Sequence, residues 1–299
     1  MECLWAKALI IIQLLRIKQW TKNLLVYAAP LFAGKLFVPA IFNTSSLCFI
    51  LFCLTASGLY ILNDISDLET DRLHPKKCRR PIASGRVSKP LAICICAIIL
   101  VVSFLLAGMF IGVATLGILI GYFILNILYT YKLKKIPVLD VACIAGGFVL
   151  RAVSGGVATK VPLSPWFILC VIFISLFLAL AKRRHEIMML DDNAENHRQV
   201  LGRYSLPYLD QLIGIVSACT IMTYALYTFE SNSNILKNGL VWTVPLVIYG
   251  LFRYLYLVHI QDAGGAPEDI LIGDSHILLT VIIYVAIVVY TIYFNHLTV

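Results

Sequence analysis

The residues suited to chemistry crowd into one stretch, Leu59 to Ser88, which reads LYILNDISDLETDRLHPKKCRRPIASGRVS. Asn63 and Asp64 are followed there by Asp67 and Asp71. Steps of three and four residues place the three carboxylates on one face of a helix. Like charges stacked in that way repel unless a cation bridges them. Oxygen donors suit magnesium, which keeps several waters and meets a substrate phosphate through one or two carboxylates. The plainer alternative is a solvated helix end whose acids happen to align. Arg72, Lys76, Lys77, Arg79, Arg80 and Arg86 come next. A basic loop is expected on the cytoplasmic side of a membrane protein, but arginine forks and lysine point charges also hold phosphate. Metal-holding acids beside phosphate-holding bases point to a diphosphate site more strongly than either cluster alone.

The elements that must position these residues are membrane helices. Of 299 residues, 60% are hydrophobic and 13% charged, and mean hydropathy is +0.89. A soluble domain has about half apolar and a quarter charged residues, so lipid supplies much of the solvent here. Residues 1–19 carry Lys7, Arg16 and Lys18 among apolar neighbours and read as an amphipathic interfacial helix. Nine spans follow, near 22–41, 46–64, 90–109, 111–131, 137–158, 164–182, 208–228, 239–258 and 275–294. No loop is long enough for a separate domain, so residues 1–299 are expected to form a single transmembrane catalytic domain. With the N-terminus inside, 20 of the 24 Lys and Arg are cytoplasmic; Lys35, Lys160 and Lys237 lie outside and Arg151 within a span. That asymmetry predicts a cytoplasmic N-terminus and, after nine crossings of the plasma membrane, an outer C-terminus. Of 16 acids only Glu230 falls outside. Acids contribute little to topology, so the cytoplasmic face needs charge of both signs, as an active site there would.

Other signals are weaker. Lys22 follows Trp20 at the start of the first span; Trp20 reads as an interface anchor, and Lys22 as a phosphate ligand or a snorkelling side chain. Lys132, Lys134 and Lys135 close the fourth span with Tyr129 and Tyr131, and one or two of them are expected to face the site. Asp140 opens the fifth span, where it can orient a lysine or a ribose hydroxyl. Arg151 lies eleven residues on, about 16 Å deeper in a helix. An arginine at that depth is a candidate functional group, or a structural one pairing with a helix end loosened by Gly155-Gly156. Gly146-Gly147 and Gly155-Gly156 are expected to allow close helix contact. The nine cysteines have no CxxC or Cys/His spacing and read as small core residues, not zinc ligands or disulfides. The N-terminus lacks the pattern of a cleaved signal peptide.

Asn-Asp-x-x-Asp-x-x-x-Asp, followed by Arg80-Pro81-Ile82-Ala83-Ser84-Gly85, resembles the first aspartate motif of the UbiA superfamily of intramembrane prenyltransferases. The resemblance implies an all-α integral membrane protein: a bundle of nine transmembrane helices around a central cavity open to the cytoplasmic side. Members of that superfamily usually carry a second aspartate-rich motif after the sixth span. This chain has Ala181-Lys182-Arg183-Arg184-His185-Glu186 there, with Asp191 and Asp192 further on. Bases in place of acids weigh against a prenyl-diphosphate donor. Lys18-Gln19-Trp20-Thr21-Lys22-Asn23, Gly146 to Ser164 and Gly264 to Asp269 (GGAPED) are similar to one branch, the decaprenyl-phosphate phosphoribosyltransferases.

That branch implies transfer of 5-phosphoribose from phosphoribosyl diphosphate to a polyprenyl phosphate, with Mg2+ as cofactor and a product feeding cell-envelope arabinose synthesis. Three phosphate groups then need bases where a second metal cluster would otherwise stand. Asp64, Asp67 and Asp71, assisted by Asn63, are expected to hold the metal. Lys22, Arg79, Arg80, Lys132, Lys134, Asp140, Arg151, Lys182 and Arg183 are expected to bind substrate. Lys182 and Arg183 end a span in this reading, so their replacement should spare stability. Partners are the two substrates and the membrane; no nucleic acid is expected, and a homo-oligomer is compatible with the sequence. The alternatives are a prenyltransferase acting on an aromatic acceptor, against which the bases argue, and a non-catalytic lipid carrier, against which the metal-type motif argues.

Overall fold

Prolines open the long helices of this chain. Pro39, Pro90, Pro165 and Pro245 stand in first helical turns, where the missing N–H has no intrahelical partner to lose. The computed structural model describes residues 2–73, 77–190, 200–231, 239–261, 270 and 273–294. His74, Lys76, Asp191, Asp192, Lys237 and the Gly264–Asp269 stretch lie outside the described residues. In chain order the helices are α1 (Glu2–Leu15), α2 (Ala28–Phe32), α3 (Pro39–Ser66), α4 (Leu68–Leu73), α5 (Lys89–Leu106), α6 (Val113–Tyr131) and α7 (Leu139–Thr159). Then follow α8 (Pro165–Leu190), α9 (Leu206–Ser231), α10 (Val244–Ile260) and α11 (Ser275–Val289). A 3-10 run, Ile17–Tyr27, joins α1 to α2. No strand occurs among the described residues.

Among the described residues, eight helices are long and apolar enough to cross a membrane, beginning at Pro39, Lys89, Val113, Leu139, Pro165, Leu206, Leu240 and Ser275. They match eight of the nine expected spans, and the chain is an all-α integral membrane protein. The expected span 22–41 is not one helix. Arg16 takes a left-handed conformation (φ 50°) and ends α1 before residue 19. The chain then tightens into the 3-10 run, forms the single short helix α2, and turns through Gly34 at φ +71°. Hydropathy counts side chains and is blind to these backbone breaks. Trp20, expected at the membrane interface, is half-buried and its indole donates to Ser57 at 3.1 Å. The sixth span also runs past 182, to Met189, which puts Lys182 to Glu186 inside a helix.

The chain divides into two compact units, one of residues 1–31, 35–131 and 150–162, the other of 32–34, 132–149 and 163–299. Neither is a contiguous stretch of chain. In the first unit, Val26, Cys48, Leu51, Phe52, Leu119 and Tyr122 form an apolar core. The second is built on Phe177, Leu180, Leu209, Ile213, Leu257 and Val258. The expected close approach at Gly155 is present, but its partner is the 3-10 run. A Cβ on Gly155 would lie 1.9 Å from the carbonyl oxygen of Val26. Backbone cannot yield as a flexible side chain does, so Gly155→Ala is expected to destabilise the first unit by about 1–3 kcal/mol. Thermal unfolding of the purified chain measures this, and a midpoint equal to wild type would contradict it.

Candidate active site

In the first unit the aspartate motif straddles a helix break. α3 ends at Ser66 and Asp67 adopts φ −93° and ψ 9° before α4 begins. The turn-to-turn bonds continue, from Asp67 N to Asn63 O and from Asp71 N to Asp67 O, so the steps of three and four survive. Asp64 and Asp71 are buried, 3% and 2% exposed, and both accept from Arg80 Nη1, at 3.0 and 2.5 Å. Arg16 also pairs with Asp64 while its guanidinium lies over the Tyr60 ring, and Lys77 Nζ stands 4.0 Å from Asp71. Asp67 is engaged elsewhere, accepting from Asn63 Nδ2 at 3.0 Å.

This donor set fits a small hard cation, because two carboxylate oxygens converge on a single cationic nitrogen. Magnesium needs no more than two protein carboxylates when waters and phosphate complete its shell. The structure brings Asp64 and Asp71 together and leaves Asp67 with Asn63. Among the described residues no three His, Cys, Asp or Glu side chains are grouped closely enough to hold an ion. Arg79 is exposed and its carbonyl accepts from Arg86 at 2.5 Å. Lys22 is half-buried in the 3-10 run.

Deeper in the same unit, Arg151 is buried. It donates to Asn23 Oδ1 and to Tyr122 Oη, both at 2.7 Å, and lies 4.7 Å from the centre of the Tyr122 ring. Asn23 in turn donates to Cys53 Sγ at 3.2 Å. Residue 155 does not loosen this helix, since α7 runs on to Thr159. The buried arginine rests in neutral amide, phenol and ring partners, which ties the 3-10 run to α6 and α7.

The second unit contains the basic motif, and here the three residues part. Arg183 is 1% exposed; its Nε donates to Asp140 at 2.7 Å and its Nη1 to Glu186 at 2.6 Å. Arg184 donates to Asp210 at 2.6 Å and to the Val258 carbonyl at 2.9 Å, and His259 Nε2 stands 3.2 Å from Asp210. Lys182 is half-buried. Arg183 therefore does not stand at an exposed helix end: α8 continues two turns beyond it and turns it inward. Asp140, 0% exposed, faces Arg183 and Tyr204 rather than a lysine. Burial, together with donation to the Asp140 carboxylate, pushes the Tyr204 phenol above its ordinary range. Its proton therefore stays in place at neutral pH. Lys132 is exposed and Lys134 half-buried, around the 3-10 turn Leu133–Lys135.

Arg16, Tyr204, Glu186 and Asp210 were not legible as site residues. Arg16 looks like any basic residue at an interface, and Tyr204 meets Asp140 across 64 residues with no motif around it. The acids expected on the cytoplasmic side are explained in part by these pairings, since buried Arg183 and Arg184 each meet a carboxylate.

The profile of the UbiA prenyltransferase family matches residues 23–268. A decaprenyl-phosphate phosphoribosyltransferase of Corynebacterium glutamicum is 35% identical, over 94% of this chain and 86% of its own length. One of Mycobacterium tuberculosis is 32% identical, over 93% and 92%. A UbiA homologue from Archaeoglobus fulgidus, solved with GPP and Mg2+, superimposes with a TM-score of 0.70 at 19% identity, covering 94% of this chain and 98% of that one.

Proposed function

The chain belongs to the UbiA prenyltransferase family, a family of membrane transferases, and from that premise we propose that it transfers 5-phosphoribose from phosphoribosyl diphosphate to a polyprenyl phosphate. The observation that carries the reading is the paired acid cluster, Asp64 and Asp71 sharing Arg80, in a chain whose relatives over nearly full length include decaprenyl-phosphate phosphoribosyltransferases.

Asp64 and Asp71 are the residues that would hold magnesium, with Asn63 and Asp67 as the adjoining pair. Bound there, the ion supplies positive charge for the departing diphosphate. Arg80 and Arg16 lie against the same acids and serve phosphate oxygens as these gain charge. Arg79, Lys22, Lys132, Lys134 and Lys182 neutralise the remaining phosphates. Charge on the leaving diphosphate is greatest in the transition state, so these contacts act most strongly there. The C1–O bond to diphosphate breaks, and an oxygen of the acceptor phosphate bonds to C1. That oxygen is ionised at neutral pH, so no general base is required. Arg183 acts through Asp140, and Arg151 fixes the backbone of the first unit.

The asymmetry of basic residues supports a cytoplasmic N-terminus and a cytoplasmic active site. It also supports a ninth crossing. Trp20, Asn23 and Tyr27 bond in turn to Ser57, Cys53 and Ser46 of α3, so the stretch runs antiparallel to α3 for about 16 Å. Non-helical backbone is tolerated at membrane depth where protein buries it. With that crossing the C-terminus lies outside, and the chain is one catalytic domain.

The deciding experiment gives the purified chain radiolabelled phosphoribosyl diphosphate with polyprenyl phosphate and, separately, a prenyl diphosphate with an aromatic acid. Lipid-linked label is expected in the first mixture only, lost in EDTA and restored by magnesium. Product in the second mixture, or full activity in the chelator, would overturn the reading.

A further inference from the structure

Val138 stands in a backbone conformation that its side chain opposes. Its φ is +68°, a left-handed value that β-branched residues rarely adopt. It ends the loop from α6 to α7 that carries Lys132, Lys134 and Lys135. The side chain explains nothing, being 47% exposed. The backbone does: Val138 N–H donates to Tyr204 Oη at 2.6 Å. The same hydroxyl donates to Asp140 Oδ1 at 2.7 Å, and Asp140 Oδ2 accepts from Arg183 Nε at 2.7 Å. One phenol thus closes a chain of bonds from the buried arginine to a strained loop.

We propose that Tyr204 is a positioning residue for phosphate binding, its hydroxyl holding Val138 left-handed so that the lysine loop keeps its shape. The inference rests on assigning Lys132 and Lys134 to phosphate. Strain of this kind persists only where surrounding structure enforces it, and here the enforcing group is named. A phenylalanine would keep the ring, which stacks on Tyr208 with centroids 6.2 Å apart, and remove the two bonds of the hydroxyl, from Val138 N–H and to Asp140. Glycine at 138 adopts φ +68° without cost, so it should make Tyr204 dispensable for the loop.

The test measures binding of phosphoribosyl diphosphate and hydrogen exchange of residues 132–139 in the purified full-length chain. Tyr204→Phe is expected to weaken binding and speed exchange by about tenfold each, the loss of the hold on Val138, while the lost bond to Asp140 shows as lower stability. Adding Val138→Gly should return both to within about threefold of wild type. A purely structural Tyr204 would not be rescued by a change at an exposed loop residue. Val138→Pro removes the same N–H and, with φ locked near about −65°, drives the loop out of its left-handed turn, so it should weaken binding at least as much as Tyr204→Phe does. Wild-type behaviour of Val138→Pro, or a double variant no better than Tyr204→Phe, overturns the proposal. If the wild-type chain takes up no phosphoribosyl diphosphate, the substrate assignment falls, and the exchange rates still decide whether Tyr204 holds the loop.

Discussion

Asp71→Asn is expected to cut turnover by about a thousandfold, ~4 kcal/mol of barrier, with the fold intact. The same holds for Asp64→Asn. Each substitution keeps the shape of the side chain and removes the charge that a cation bound between these carboxylates requires. Lost metal affinity would appear as a steep rise in the magnesium needed for half-maximal rate. Stability is expected to fall by about 1–3 kcal/mol, since each acid is buried and gives up charge-assisted hydrogen bonds. The partners Arg16 and Arg80 are 24% and 26% exposed at their side chains and can turn to water when an acid is neutralised. Steady-state transfer across a magnesium series, with thermal unfolding alongside, checks both halves. A variant within tenfold of wild type at ordinary magnesium would remove Asp71 from the machinery.

Replacing the two bases of the second unit one at a time is expected to give opposite results. Arg183→Ala strips the partner from Asp140, a carboxylate with no exposure, and leaves a buried charge with only the Tyr204 hydroxyl. Breaking such a pair costs about 3–5 kcal/mol, enough to remove most of the stability of an ordinary domain. The expected result is little folded protein after extraction and a much lower unfolding temperature. Asp140→Asn combined with Arg183→Met leaves no fully buried charge, since the Glu186 side chain is 25% exposed and can turn to water, and should recover much of the loss. Lys182→Ala should fold normally and raise KM for phosphoribosyl diphosphate by about tenfold, the loss of one charge-assisted contact. Normal stability in Arg183→Ala would mean that the buried pair contributes nothing.

That division shows what the sequence could carry. Lys182 and Arg183 are adjacent letters in a basic run, and hydropathy ends a span between them because charges are counted alike. Only the packing of α8 shows that one faces inward onto an acid 43 residues away. The aspartate motif was legible for the opposite reason: its spacing is local, three and four residues, so the helix places its members before any tertiary contact exists. Eight spans were legible because lipid selects long apolar runs. The breaks within the stretch 22–41 were not legible because Arg16, Gly34 and the tight turns of the 3-10 run change backbone direction without changing mean hydropathy. The assignment to phosphoribosyl transfer came from resemblance over several stretches, and composition alone stopped at a membrane enzyme handling phosphate.

The way the first unit is threaded bears on how the protein is made. Arg151 reaches Asn23 across 128 residues, and Gly155 closes on Val26. A ribosome releases the 3-10 run and α3 into the bilayer well before it has made the helix that completes them. Until residues 150–162 emerge, the amide of Asn23 and the phenol of Tyr122 must find temporary partners in water, lipid or the insertion machinery. Closure of the amino-terminal unit therefore waits until about half the chain has been made, and a slow or paused ribosome between Tyr131 and Arg151 would prolong the interval in which that unit is open.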